Sequence, residues 1–208
     1  FGVTTDTQDC TGTVLSQSDQ PVTREALEAA LIPLRGTIEQ LPPMYSAVWV
    51  DGQRLYKLAR EGREVERPTR QVTIHRLERL EFDGEKRTCV VDVCCSKGTY
   101  IRTLCHDIGM ALGCGGMLTA LRRTETLGFT EADCHTLDEL KAAADEGRFE
   151  ELLLPVETAF RQYGRIFLSP KQTKMFLDGI RLDTNRIRCP AEGDTVRVYC
   201  DGRFLALA

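Results

Sequence analysis

Cys94-Cys95-Ser96-Lys97-Gly98-Thr99-Tyr100-Ile101-Arg102-Thr103-Leu104-Cys105-His106-Asp107 is the stretch on which the reading of this chain turns. An apolar strand runs into Ser96-Lys97-Gly98, and a helix starts directly behind it. Thr99 can cap that helix, with Ile101, Leu104, Ile108, Ala111 and Leu112 as its buried stripe. Tyr100 and Arg102 then fall in its first turn. A helix N-terminus carries partial positive charge and favours Asp or Glu, so an Arg there opposes a local rule. Such rules tend to be broken at working sites. Two readings stand at this point. Arg102 either meets a carboxylate brought in from elsewhere, or lies on the surface with its head in water.

The flanking sequence completes the fold class. Thr88 to Cys95 is an apolar run interrupted only by Asp92. Upstream, Val72 and Ile74 alternate, as do Leu80 and Phe82, with a change of register between them. Asp83-Gly84 is a turn signal, so the two runs read as an antiparallel hairpin. Thr23 can cap a helix carrying Ala26, Leu27, Ala30 and Leu31, which Pro33 and Gly36 end. Leu41-Pro42-Pro43-Met44-Tyr45-Ser46 cannot be helical, because each Pro pushes its predecessor to extended geometry. Leu55, Tyr56, Leu58 and Ala59 read as a short amphipathic helix. Gly113 to Gly116 stops the helix behind Arg102, and a second short helix is expected over 117–121. Thr136 and Glu139 form a capping box for a further helix. Arg161 to Gly164 reads as a linker. Beyond it, Ser169-Pro170 starts a helix that Gly179 closes, and strands flank the turn Asp201-Gly202. The expected class is α+β: a mixed, largely antiparallel sheet with flanking helices over 1–160, and a small β-rich appendage over 161–208.

With 42% hydrophobic and 28% charged residues, the 208-residue chain can build a core and is not disordered. Nothing approaches an 18-residue apolar run, which excludes a helical membrane span. No signal peptide is visible, and the chain opens on Phe1, so a natural start is expected upstream. Nine cysteines, an odd number without a Cys-x-x-Cys pair, suggest neither a disulfide framework nor a zinc site; a reducing cytoplasm fits. Cys105 and His106 as a nucleophilic pair is disfavoured, because adjacent helix residues point about 100° apart. His75, His106 and His135 lack metal-ligand spacing. The net charge of −4 is poor for a nucleic-acid binder. Yet residues 161–208 hold nine Lys or Arg against five Asp or Glu, a balance of +4 that leaves −8 on residues 1–160. The appendage is the basic part.

Four separated motifs stand in order. They are Thr4-Thr5-Asp6-Thr7-Gln8-Asp9 with Gly12; Pro42-Pro43-Met44-Tyr45-Ser46-Ala47 with Gly52, Leu55-Tyr56 and Ala59-Arg60-Glu61-Gly62; Ser96 to Thr103 with Asp107-Ile108-Gly109; and Leu121-Arg122-Arg123-Thr124 with Gly128-Phe129. In this order they resemble the bacterial tRNA pseudouridine synthase B family over essentially the whole chain. The appendage resembles that family's PUA-like RNA-binding domain. Two departures are visible. The family's catalytic Asp sits in a Gly-x-Leu-Asp-Pro-x-Ala-x-Gly segment upstream of the Thr-Asp-Thr motif, and this chain has no Asp-Pro dipeptide. The family's base-stacking Tyr also lies upstream of Phe1. The chain thus looks like the family without its N-terminal portion, and alone it is expected to be inactive. The other departure is Trp49, where the family usually has Lys.

The resemblance implies isomerisation of uridine to pseudouridine in the T-loop of tRNA, without a cofactor, by a cytoplasmic monomer. It implies that Arg102 partners the nucleophilic Asp. It makes Tyr100 the residue that packs on the target uracil, either as a stacking platform or as acceptor of the C5 proton. It makes Leu121 an apolar lining of the pocket. Arg122 and Arg123 are expected to contact phosphate or brace the sheet. Lys171, Lys174, Arg181, Arg186 and Arg188 are expected to follow the acceptor stem through phosphate contacts. Tyr45 is expected to shape the floor near the site. The alternative is a non-catalytic RNA-binding protein of the same fold, and a thiol-dependent protein using Cys94 or Cys105 is the remote third.

Overall fold

A computed structural model describes residues 1–187 and 195–208, so Arg188 and Cys189 lie outside the described residues. The chain packs as two compact units, Phe1–Leu121 and Arg122–Ala208.

The first unit contains β1 (Val3–Thr5), β2 (Val14–Gln17), α1 (Arg24–Leu31), β3 (Gly36–Gln40), β4 (Trp49–Val50), β5 (Gln53–Arg54), α2 (Leu55–Arg60), β6 (Arg70–Asp83), β7 (Thr88–Cys95) and α3 (Ile101–Ala111). Its main sheet has the order β3-β6-β7 and is antiparallel throughout. Helices α1 and α3 cover one face. Leu27 and Leu31 of α1, Ile74 and Leu77 of β6, and Leu104 and Ile108 of α3 form the core, all at most 3% exposed. Ile74 and Leu77 are three residues apart, and a regular strand would send them to opposite faces. A bulge between Ile74 and Arg76 inserts His75 and returns both to the core side. A second irregularity between Arg79 and Glu81 shifts the register again, so the one change read from the sequence between Ile74 and Leu80 is two in the structure.

Local expectations are met where a cap or turn has its own chemistry. Thr23 accepts from the Ala26 amide at 3.2 Å and caps α1. The Asp83 carboxylate accepts from the Glu85 and Lys86 amides and closes the β6–β7 turn. Three expectations need correction. Thr99 does not cap α3; its hydroxyl donates to the Ser96 carbonyl inside the turn, and Tyr100 takes the cap position. The helix expected over 117–121 does not form, because Leu118 is engaged as extended backbone. Its amide donates to the Gln8 carbonyl, and its carbonyl accepts from the Cys10 amide. Strand β3, which the sequence reading passed over, pairs with β6 from Gly36↔Ile74 to Gln40↔Arg70.

Gly109 fixes how α3 meets the loop behind it. A Cβ there would overlap the backbone of Gly115 and Gly116, and the Gly115 amide donates back to the Gly109 carbonyl at 2.9 Å. Backbone cannot rotate away as a side chain can. Gly109→Ala is therefore expected to cost about 3 kcal/mol, measurable as a lower denaturant midpoint with an unchanged slope.

In the second unit, β8 (Glu125–Thr126) and β9 (Phe129–Thr130) make a tight hairpin, and α4 (Leu137–Asp145) opens on the Thr136/Glu139 capping box. Then β10 (Gly164–Phe167), α5 (Pro170–Leu177), β11 (Val196–Cys200) and β12 (Arg203–Leu207) follow. Strand β10 runs parallel to β11, and β11 pairs antiparallel with β12 across Asp201-Gly202, both left-handed at φ 49° and 77°. Ile166, Leu168 and Val198 form the core of this sheet with Phe176 and Leu205. The α+β class with largely antiparallel sheets is the one expected. Among the described residues, no helix is long and apolar enough to cross a membrane.

Candidate functional site

The site is built on the junction between β7 and α3. Gly98 takes φ 85°, which lets the chain turn sharply out of the strand. Tyr100 then adopts an extended conformation before the helix begins. Gln40, at the end of β3 and 1% exposed, holds it there. The Gln40 carboxamide accepts from the Tyr100 amide at 2.8 Å and donates to the Tyr100 carbonyl at 3.1 Å. A buried carboxamide has both a donor and an acceptor to satisfy, and this exchange satisfies one of each. The Tyr100 ring packs against the small cluster of Val48, Leu55 and Leu58.

Two residues on, Arg102 reaches into a loop between β1 and β2. Its Nη1 donates to the Thr7 carbonyl and to Asp9 Oδ2, both at 3.1 Å, and its Nη2 donates to the Tyr45 carbonyl at 2.9 Å. Side-chain exposures of 27% for Arg102 and 20% for Asp9 place the pair in a partly dry setting. Of the two readings of this Arg, the solvated one is excluded. Tyr45 contributes its backbone carbonyl, and its hydroxyl donates to Asp6 Oδ2 at 3.5 Å.

The loop carrying Asp9 is held by its own side chains. Asp9 Oδ1 accepts from the Thr7 hydroxyl at 2.8 Å, the Thr11 hydroxyl at 2.6 Å and the Thr11 amide at 3.0 Å. The Thr5 hydroxyl donates to the Asp9 carbonyl at 2.7 Å. Gln8, left-handed at φ 63°, accepts from the buried Thr103 hydroxyl of α3 at 2.6 Å. Asp6 accepts from the Thr13 amide at 2.7 Å, and a Cβ at Gly12 would overlap the Asp6 carboxylate and Thr7 hydroxyl. The Thr-Asp-Thr motif with its Gly is thus a folded device that presents Asp9 to Arg102. Burial pushes the Asp9 carboxyl up, but the Thr11 and Thr7 hydroxyls, the Thr11 amide and Arg102 outweigh it and bring it down to about 2.

The remaining residues named from the sequence are not drawn into this cluster. Leu121 is 61% exposed and absent from the apolar group around Tyr100. Arg122 forks onto Glu131 at the surface. Arg123, Lys171, Lys174, Arg181 and Arg186 are exposed. Cys105 is a poor nucleophile, since burial pushes its thiol up to about 11. No group of three or more His, Cys, Asp or Glu able to hold a metal exists among the described residues. The sequence reading missed Asp9 and Gln40. Asp9 carried a signal, a carboxylate ringed by threonines just ahead of Gly12. Gln40 carried none.

The fold defines the class. A Cbf5-Nop10-Gar1 complex contains a chain that superposes with a TM-score of 0.70 at 26% identity, over 90% of this chain and 55% of that one. An H/ACA RNP bound to a substrate RNA containing 2'-deoxyuridine gives 0.67 at 22% identity, a likeness of fold alone. Residues 1–101 match the TruB family pseudouridylate synthase (N terminal domain) and residues 102–161 the tRNA pseudouridylate synthase B C-terminal domain. The tRNA pseudouridine synthase B of Azoarcus sp. is 47% identical over the whole of this chain, which spans 67% of that protein. That of Chromobacterium violaceum is 49% identical over 86% of this chain and 58% of its own length. The chain belongs to the tRNA pseudouridine synthase B family.

Proposed function

We propose that the protein isomerises uridine to pseudouridine in the T-arm of tRNA, with the Tyr100–Arg102 turn as part of its active site. The observation that carries this is the state of Arg102. A guanidinium has five N–H donors. Three are taken by Thr7, Asp9 and Tyr45, which leaves Nε and one Nη2 hydrogen without a partner among the described residues. These N–H groups are free to donate to a second carboxylate.

Asp9 is not that second carboxylate. Its Oδ1 already accepts three hydrogen bonds, and a group held near 2 has little nucleophilic power. Its work is to hold Arg102. The nucleophile is a further carboxylate, in the family the Asp of the Gly-x-Leu-Asp-Pro segment, kept ionised by Arg102 while desolvated. The reaction breaks the bond from C1′ to N1 and forms one from C1′ to C5. The C5 proton leaves and N1 gains one, so the mass is unchanged. The target base must first leave its stack. Tyr100, fixed by Gln40, is the platform for it. We assign the catalytic role to 1–160 and phosphate contacts to Lys171 and Lys174 of 161–208, with Arg122 and Arg123 of 1–160 adding to them.

The test is release of tritium from tRNA labelled at C5 of uridine by the chain extended with the family's Gly-x-Leu-Asp-Pro segment; residues 1–208 alone are expected to release none. One tritium released per tRNA is expected. Tight tRNA binding with no release would replace this reading by that of a binding protein.

A further inference from the structure

The one tryptophan of the chain stands where burial would ordinarily have put it inside, yet Trp49 is 60% exposed. Leaving an indole in water forgoes one of the largest apolar burials a side chain can offer. Its position is not loose. Strands β4 and β5 pair Trp49 with Arg54 across Asp51-Gly52, both left-handed at φ 48° and 76°, a tight turn that fixes the register. Arg54 lies over the indole with its guanidinium carbon 4.9 Å from the ring centroid, and its Nη1 donates to the Ala47 carbonyl at 3.0 Å. Val48 and Val50 alternate with Trp49 and turn inward, into the cluster against which Tyr100 packs. A second pair, Arg60 over Tyr56 at 5.4 Å, follows on α2.

We infer that Trp49, braced by Arg54, is a stacking platform for an unpaired nucleobase of the RNA substrate beside the residue that enters the active site. This rests on the functional reading above. An aromatic ring offers a face that any base can cover, and Arg54 brings a cation next to it for the adjoining phosphate. A protein partner would also value an exposed Trp and Arg. The cluster that Val48 and Val50 share with Tyr100, and the cation on the ring, favour RNA, because a base held at Trp49 lies on the same packed segment as the base held at Tyr100.

A fluorescein-labelled T-arm hairpin RNA titrated into the protein reports both events. Anisotropy of the label reads binding, and tryptophan emission reads stacking. Quenching of Trp49 emission with the same midpoint as the anisotropy is expected. Trp49→Ala is expected to bind roughly tenfold more weakly, equivalent to about 1.4 kcal/mol, with its salt slope unchanged because no ion contact is lost. Trp49→Phe, which keeps a ring, recovers most of that loss. Binding with unchanged emission and an unchanged Trp49→Ala affinity would overturn the platform while leaving RNA recognition intact. Emission that instead follows protein concentration without RNA would make the face a contact between copies. Absence of any anisotropy change removes the RNA reading, and this inference with it.

Discussion

In the protein that carries the family's Gly-x-Leu-Asp-Pro segment, Arg102→Ala is expected to abolish isomerisation, a loss of roughly a thousandfold or more, while affinity for tRNA stays near its original value. The expectation follows from where the guanidinium sits and not from its charge alone. It ties three separate segments, the Thr7–Asp9 loop, Tyr45 and the start of α3, to one point. Removing it strips the proposed nucleophile of the cation that keeps it ionised, and leaves the Asp9 charge partly buried without its partner. Binding is expected to be spared because the proposed phosphate contacts, Arg122, Arg123, Lys171 and Lys174, do not include Arg102. Arg102→Lys separates geometry from charge. A single ammonium cannot make the fork that a guanidinium makes, so Lys is expected to restore little. Tritium release gives turnover and label anisotropy gives binding. Normal turnover by the alanine variant would end the role assigned here to Arg102.

Much of this geometry was legible in the sequence, and the boundary of legibility has physical causes. Elements with local chemistry could be read. The Thr23 cap, the Thr136/Glu139 box, the Ser169-Pro170 start and the Asp201-Gly202 turn each place a short-range hydrogen bond or a left-handed residue at a fixed offset. The oddity of Arg in a helical first turn could be read for the same reason. What could not be read depends on partners far along the chain. The β3 strand has no alternating pattern of its own, and its identity comes from pairing with β6, thirty or more residues away. Gln40 looks like any surface carboxamide until Tyr100 arrives 60 positions later. The expected helix over 117–121 fails in the same way, since its apolar residues suit a helix but the loop after β1 claims the backbone of Leu118. Asp9 lies between these cases. Its threonine ring is local, and its target, Arg102, is 93 residues on.

Asp9→Asn tests that long-range half of the site. The amide keeps an oxygen for Thr7 and Thr11, so the loop is expected to fold. It loses the charge facing Arg102, and its NH2 can present donors toward a guanidinium that has only donors. Arg102 then shifts, and turnover is expected to fall roughly a hundredfold, with the loss in kcat and KM little changed, because the role proposed for Asp9 is to position Arg102. The same substitution has a signature in stability. The Asp9 carboxyl is held at about 2 in the folded chain, below its ordinary value of 3.8. A depressed carboxyl contributes stability that is fully present above the unfolded value and is lost as the pH falls through the folded one. The wild-type advantage over Asp9→Asn is therefore expected to be about 2 kcal/mol near neutrality, to shrink below pH 4 and to be nearly gone at pH 2. Thermal unfolding of both proteins across that range measures it. A gap that stayed constant with pH would mean that the ionised carboxylate does not hold Arg102, and a fall in turnover through KM alone would move Asp9 from positioning to binding.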